Sequence, residues 1–192
     1  HIKKAAIQAI QAGKSDFYTA TLGIVELRKA IAKATNAQYH TDYTFENVAV
    51  TVGGKFSLYA VSQTILDPGD EVLIPLPYWV SYSEQVKLAE GKPVFVLPET
   101  KSLKVTVAAL EAKRTEKTKA VIINSPQNPS GVIYTRAELE AIGNWAVKNN
   151  IWLIADDMYN KLVYNGNSFV SLVELSEAIK QQTILINGFS KT

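Results

Sequence analysis

The stretch AVIINSPQNPSGVIYTRAELEAIGNWAVKNNIWLIADDMY, residues 120–159, decides the fold. Two short apolar runs, Ala120 to Asn124 and Ile151 to Ala155, bracket an amphipathic segment from Thr135 to Asn149. That segment opens on a threonine with Glu138 three residues on, the signature of a capped helix. Run, helix, run is a βαβ unit, and near-continuous Val and Ile suit parallel strands covered on both faces. The same rhythm continues outward. Further strands are expected at Val48 to Val52, Glu71 to Pro75, Pro93 to Leu97 and Thr183 to Asn187, with helices over Phe56 to Leu66, Tyr82 to Glu90 and, shorter, Val107 to Ala112. Before Val48 there is no strand signal: Ile2 to Ala12 and Ile24 to Ala34 read as two helices joined by a polar and aromatic loop. The expectation is one compact α/β domain on a mainly parallel sheet, with a helical lead-in over residues 1–40.

With 47% hydrophobic and 20% charged residues in 192, the chain can bury a core, which excludes disordered and fibrous architectures. Twenty basic against eighteen acidic side chains leave a formal charge of +2, too little to announce nucleic acid or an anionic membrane as partner. Cysteine is absent and His1 and His40 are the only histidines, so disulfides and thiolate catalysis are excluded and no metal site is expected. No window reaches the roughly 18 consecutive apolar residues of a membrane span. The first ten residues break their apolar pattern with Lys3, Lys4 and Gln8, unlike a secretory signal, so a cytoplasmic location is expected. The chemistry must come from Lys, Asp, Tyr or Asn, or from a borrowed cofactor.

In an open parallel sheet, ligands bind beyond the carboxyl ends of the strands, so the informative residues come just after each apolar run. TVGGKFSLY (51–59) offers two glycines for close approach and a helix start suited to a phosphate, yet it is neither a P-loop nor GxGxxG and alone could be a plain tight turn. PLPYWVSY (75–82) sets Tyr78 and Trp79 on a proline-stiffened turn, where an aromatic face could cover a heterocycle or merely pack. NSPQNPSG (124–131) presents the Asn128 amide, and IADDMY (154–159) ends a buried strand on two carboxylates. Desolvating them is costly, so at least one should have a cationic partner, a helix cap being the bland alternative. NGFSK (187–191) brings Lys191 to the same edge. A phosphate cradle, an aromatic lid, a carboxylate, an amide with a phenol, and an imine-forming lysine are together what pyridoxal phosphate requires.

On these motifs the sequence resembles the class I/II aminotransferases of the fold-type I pyridoxal-phosphate family, in the manner of bacterial aspartate and aromatic aminotransferases. YTATLGIVELRKAIA (18–32) resembles the family's Tyr-rich loop with G-x-x-x-LR, VTVGGKFSLY (50–59) its phosphate turn and LDPGDEVLIPLPYWVSY (66–82) its stacking segment. NSPQNPSG resembles its NPTG-type loop, IADDMYNKLVY (154–164) its D-x-x-Y strand end, and NGFSK its imine lysine. The resemblance implies a three-layer α/β/α large domain and transfer of an amino group from an L-amino acid, aspartate or aromatic, to a 2-oxo acid. By position it implies that Lys191 bonds the cofactor, Asp156 pairs with the pyridine nitrogen, and Tyr159 and Asn128 bond the ring 3-oxygen. Trp79 would stack on the ring and the backbone of Gly54 and Lys55 would hold the phosphate, while Tyr18 would reach the phosphate of the neighbouring subunit in a homodimer. Lys55, Trp79 and Asn128 would also face the substrate, Lys55 suiting an acidic side chain. Asp157 stands where the family usually has glutamate and is read as structural.

There are two departures. The sequence ends one residue after Lys191, whereas the family continues with a phosphate-binding arginine, a further strand and a small domain that clamps the substrate carboxylate. Residues 41–192 are therefore expected to be a large domain incomplete at its C-terminal side, without the small domain and with little activity alone. Val48 to Val52 should then be separated from Thr183 to Asn187 by a gap where an antiparallel strand would lie. Gly188 stands where some members carry a phosphate-binding serine. A pyridoxal-phosphate lyase of the same fold, or a non-catalytic truncated domain, remains an alternative at this point.

Overall fold

The computed structural model describes residues 1–14, 16–98 and 101–191. The chain divides into two compact units, His1–Thr51 and Val52–Thr192. The lead-in expected over residues 1–40 lies within the first unit, which holds α1 (Ile2–Gln11), α2 (Val25–Tyr39) and a 3-10 turn at Phe45–Asn47. α2 runs past the expected Ala34 and stops at His40, which takes a left-handed conformation. Among the described residues, no helix is long and apolar enough to cross a membrane.

The strand expected at Val48 to Val52 does not form. Val48 is extended, but the Val50 N–H donates to the Leu22 carbonyl at 3.0 Å and the Val48 carbonyl accepts from Arg28 Nε at 2.7 Å. An alternating Val/Thr pattern supplies strand propensity, whereas a strand exists only where a neighbour completes its ladder. Here a loop and an arginine take those backbone groups instead.

Among the described residues, the second unit holds five strands: β1 (Glu71–Pro75), β2 (Lys92–Val96), β3 (Thr118–Asn124), β4 (Trp152–Asp156) and β5 (Thr183–Ile186). All neighbours pair in parallel, in the order β2-β1-β3-β4-β5. Helix α3 (Gly54–Ile65) leads into β1, and α4 (Ser81–Leu88), α5 (Val107–Glu111), α6 (Arg136–Lys148) and α7 (Glu177–Gln181) connect the strands in turn. Alternate residues along a strand point to opposite faces. Val72, Ile74, Ile122, Ile154 and Ile186 accordingly share a core with Leu58 of α3 and Val86 of α4. Leu73, Val121, Ile123 and Leu153 pack on the other face with Leu110, Leu139, Ile142, Trp145 and Ile179 from α5, α6 and α7. The result is the three-layer α/β/α arrangement, each buried aliphatic side chain contributing about 1.5–3 kcal/mol.

α6 begins as its sequence requires: Thr135 Oγ1 accepts from the Glu138 N–H at 3.3 Å, and Glu138 Oε2 accepts from the Thr135 N–H at 2.7 Å. α7 was not expected from the sequence, although Ser176 marks its start as a cap whose Oγ accepts from the Ile179 N–H at 3.3 Å. It is held by the buried Ile179 against Gly143 of α6. A Cβ at Gly143 would lie 2.7 Å from Ile179 Cδ1 and 3.0 Å from both of its Cγ atoms. Ala is favoured over Gly in a helix by about 1 kcal/mol, but forcing a methyl against a β-branched neighbour costs about 1–3 kcal/mol. Gly143→Ala should therefore lower stability in urea unfolding, and adding Ile179→Ala should turn the alanine at 143 from harmful to favourable. If Gly143→Ala stabilises the otherwise unaltered protein, the helices are not in the contact described.

Candidate active site

Strand order reverses between β1 and β3: the chain leaves β1 through α4 to reach β2 on one side and returns to β3 on the other. A crevice beyond the carboxyl ends of such a pair is where open α/β sheets bind ligands. The β3–β4 register sets Asn124 opposite Asp156, the two polar residues that end these apolar strands. The Asn124 amide donates to the Asp156 carbonyl at 2.8 Å, and its Oδ1 accepts from the Asn128 N–H at 2.7 Å. Asn128 Nδ2 in turn donates to the Tyr159 phenol oxygen at 3.2 Å.

Asp156 is buried, 5% exposed as a residue. Its Oδ2 accepts from the Tyr82 hydroxyl at 2.5 Å and its Oδ1 from the Met158 N–H at 3.2 Å. Burial pushes the Asp156 pKa up while these two bonds pull it down, and the balance is a raised value. Burial and the neighbouring Asp156 charge lift the Tyr82 phenol well above its ordinary 10, so Tyr82 keeps its proton and is the donor. Asp157 is buried on the opposite side of the strand end, accepting from Ser171 Oγ at 2.6 Å, and burial raises its pKa from 3.8 to about 8. The expected cationic partner is not found: among the described residues no ion pair includes either aspartate. Asp156 is thus a buried, oriented carboxyl group without a counter-charge.

The turn before α3 is shaped by Gly53, whose φ of 99° is closed to most other residues. α3 starts at Gly54; the Phe56 and Ser57 N–H groups bond the Gly53 carbonyl at 3.0 and 3.2 Å, whereas the Gly54 and Lys55 N–H groups come before the helical ladder, a favourable seat for an anion. Gly54 is buried, and a Cβ there would collide with Met158 Cε, so this turn packs directly on the turn just after Asp156. Lys55 is exposed; its ammonium lies 5.0 Å from the Trp79 ring centre and its carbonyl accepts from Gln85 Nε2 at 2.8 Å. Trp79 meets Tyr82 edge to face at 5.5 Å. Gln127 links the loops after β1 and β3, donating to the Pro77 carbonyl and accepting from the Ser130 hydroxyl. Lys191 is exposed and comes directly after Ser190, whose Oγ is 3.8 Å from Met158 Sδ. Tyr18, in the first unit, is fully exposed in the loop before α2.

Of the residues singled out from sequence, Asp156, Tyr159, Asn128, Trp79, Lys55 and Gly54 lie within one network of contacts at the carboxyl edge. The sequence reading missed Tyr82, Asn124, Gln85 and Gln127. Tyr82 had a usable signal: it stands three residues after Trp79 at a helix start, where a turn stacks such positions. Asn124 and Asp156 are also alike as polar residues closing apolar runs. Gln85 and Gln127 carried no signal, since their partners are distant in the chain.

The chain matches the family described as aminotransferase class I and II over residues 1–192. It is 47% identical to the asparagine–oxo-acid transaminase of Streptococcus mutans and 45% identical to the aspartate aminotransferase of Bacillus subtilis, in both cases over 100% of this chain and 49% of the relative. The crystal structure of the aspartate aminotransferase from Rhizobium meliloti superposes with a TM-score of 0.95 at 40% identity, covering 100% of this chain and 48% of that one. The aromatic aminotransferase from Pyrococcus horikoshii does so at 0.94 and 35%, covering 100% and 51%. The chain spans about half the length of the curated relatives it matches. With a family match along its whole length and a fold shared with these enzymes, the chain belongs to the class I and II aminotransferases.

Proposed function

We propose that the protein binds pyridoxal phosphate at this edge of the sheet and transfers an amino group from an L-amino acid, aspartate or an aromatic one, to a 2-oxo acid. The single observation that carries the reading is Asp156: a carboxyl group on a residue 5% exposed, held by two hydrogen bonds and lacking any cation among the described residues, which a protonated ring nitrogen would complete. The names of the relatives support aspartate as donor, and Lys55 at the mouth of α3 suits its second carboxylate. A homodimer in which Tyr18 reaches the partner's phosphate, and a cytoplasmic location, belong to the same proposal.

Bound pyridoxal phosphate supplies an aldehyde that condenses with amines and a cationic ring that withdraws electrons from the reacting carbon. Asp156 holds the ring nitrogen protonated, because an adjacent negative charge favours the cationic form. Tyr82 and Met158 hold that carboxylate in place while leaving it further lone pairs to accept the ring N–H. Tyr159 and Asn128, already bonded to each other, would hold the ring oxygen, and Trp79 would cover the ring. The first turn of α3 anchors the phosphate. Lys191 would hold the cofactor through its side-chain amine and, as a free amine, would move a proton at the substrate Cα.

Two predictions test these roles. Borohydride reduction of cofactor-loaded protein, with peptide mapping afterwards, should place the pyridoxyl label on Lys191; a label on Lys55 would overturn the assignment. The two aspartates should separate cleanly. Asp156→Asn should weaken cofactor binding about tenfold to a hundredfold, the roughly 1.5–3 kcal/mol of a hydrogen bond to a charged group, while Asp157→Asn leaves it nearly unchanged. Asp157 should appear instead in the pH dependence of stability. Its folded pKa is raised, so between about pH 4 and 8 the folded protein holds a proton that the unfolded chain has released. The stabilisation is complete below that window and is lost as pH rises through about 8. Asp157→Asn should flatten that decline in denaturant titrations run across the window, and an unaltered slope would show that another group sets it.

A further inference from the structure

We propose that Gln85 is a positioning residue that joins the phosphate turn to the ring-stacking segment, so that the grip on the phosphate and the seat of the ring move as one body. The proposal rests on the cofactor reading above. Gln85 lies on α4 and is 7% exposed, and its Nε2 donates to the carbonyl of Lys55, the second residue of α3, at 2.8 Å. A buried amide is costly unless bonded, and this is the bond the structure shows for it. The i→i−4 pattern of a helix already uses the Lys55 carbonyl once; the glutamine takes a second lone pair on the same oxygen. Its effect is therefore on how the first turn is oriented rather than on whether the helix forms.

Lys55 is held from its other end as well. Its ammonium lies 5.0 Å from the ring centre of Trp79, six residues before Gln85 on the segment that runs from β1 into α4. One residue of the phosphate turn is thus clasped twice by the stacking segment, backbone by Gln85 and side chain by Trp79. The Lys55 N–H is carried on the peptide plane just before that carbonyl and the Gly54 N–H on the plane before it, so loosening Gln85 loosens the donors that would face a phosphate, Lys55 first. Tyr82, between them in sequence, takes the Asp156 carboxylate, so the same eight-residue helix and its leading turn also reach the far end of the ring site.

The discriminating measurement compares pyridoxal phosphate with pyridoxal, which lacks the phosphate, by dissociation constants read from tryptophan fluorescence. Gln85→Met keeps size and helix propensity and removes the donor. It should weaken pyridoxal phosphate about threefold to tenfold, the range of one lost hydrogen bond, and leave pyridoxal within about twofold. Gln85→Glu sets an acceptor against the carbonyl and should lose more for the phosphate ligand alone. Equal losses for both ligands would mean that Gln85 only packs, and unchanged constants would mean that the bond does not matter; either overturns the proposal while leaving the cofactor reading intact. If the unsubstituted protein bound neither ligand, the cofactor reading would fall and this proposal with it. Hydrogen exchange on the unsubstituted protein needs no variant. Pyridoxal phosphate should slow exchange in the first turn of α3 and in α4 together, and protection confined to α3 would count against the linkage.

Discussion

Because every strand of the sheet runs the same way, each connection must cross back over a face, and all five carboxyl ends gather on one edge. Both faces are then covered by helices, which is why the strand interiors are mostly apolar, Val, Ile and Leu above all. Polar groups are pushed out to the strand ends. Asn124 and Asp156 stand there, side by side in register, and the site is assembled from the turns into which their strands lead. The architecture thus concentrates chemistry at an edge by making the rest of each strand too apolar to hold it.

That concentration has an electrostatic consequence. Asp156 is far enough inside to have its pKa raised, yet its two oxygens are met by a phenol and a backbone N–H rather than by a cation. Hydrogen bonds orient a carboxylate without neutralising it, so the site is left complementary to a positive charge. Asp157, one residue on, solves the same burial problem differently: with its pKa near 8 it keeps its proton around neutrality and bonds Ser171. Two adjacent carboxyl groups, pointing to opposite sides of one strand end, are thereby given different tasks by their surroundings alone.

The site is also held together across distances in sequence that only packing spans. Tyr82 and Asp156 are 74 residues apart, Asn128 and Tyr159 31, Gln85 and Lys55 30. Met158 touches the positions of both Gly54 and Gly188, so the turn before α3, the turn after Asp156 and the segment before Lys191 share one thioether side chain as their contact. A displacement of any one of these turns is therefore transmitted to the others through close-packed atoms.

Periodicity and punctuation by themselves determined the strand–helix alternation, because buried parallel strands and capped amphipathic helices leave local patterns: β1 and β5 begin where the apolar runs begin, and the Thr135 and Glu138 cap is present as written. The ordered motifs at the strand ends likewise determined the family, since residue type and order along the chain are all that a motif contains. Tertiary structure decided what local pattern cannot encode. Val48 to Val52 has a strand's composition but gives its backbone groups to Leu22 and Arg28, because a ladder needs a partner that no local sequence can supply. α7 exists because Ile179 finds the space at Gly143, and Gln85 and Tyr82 matter because of the groups opposite them. Propensity is a property of neighbours along the chain, whereas hydrogen-bond satisfaction and burial are properties of neighbours in space.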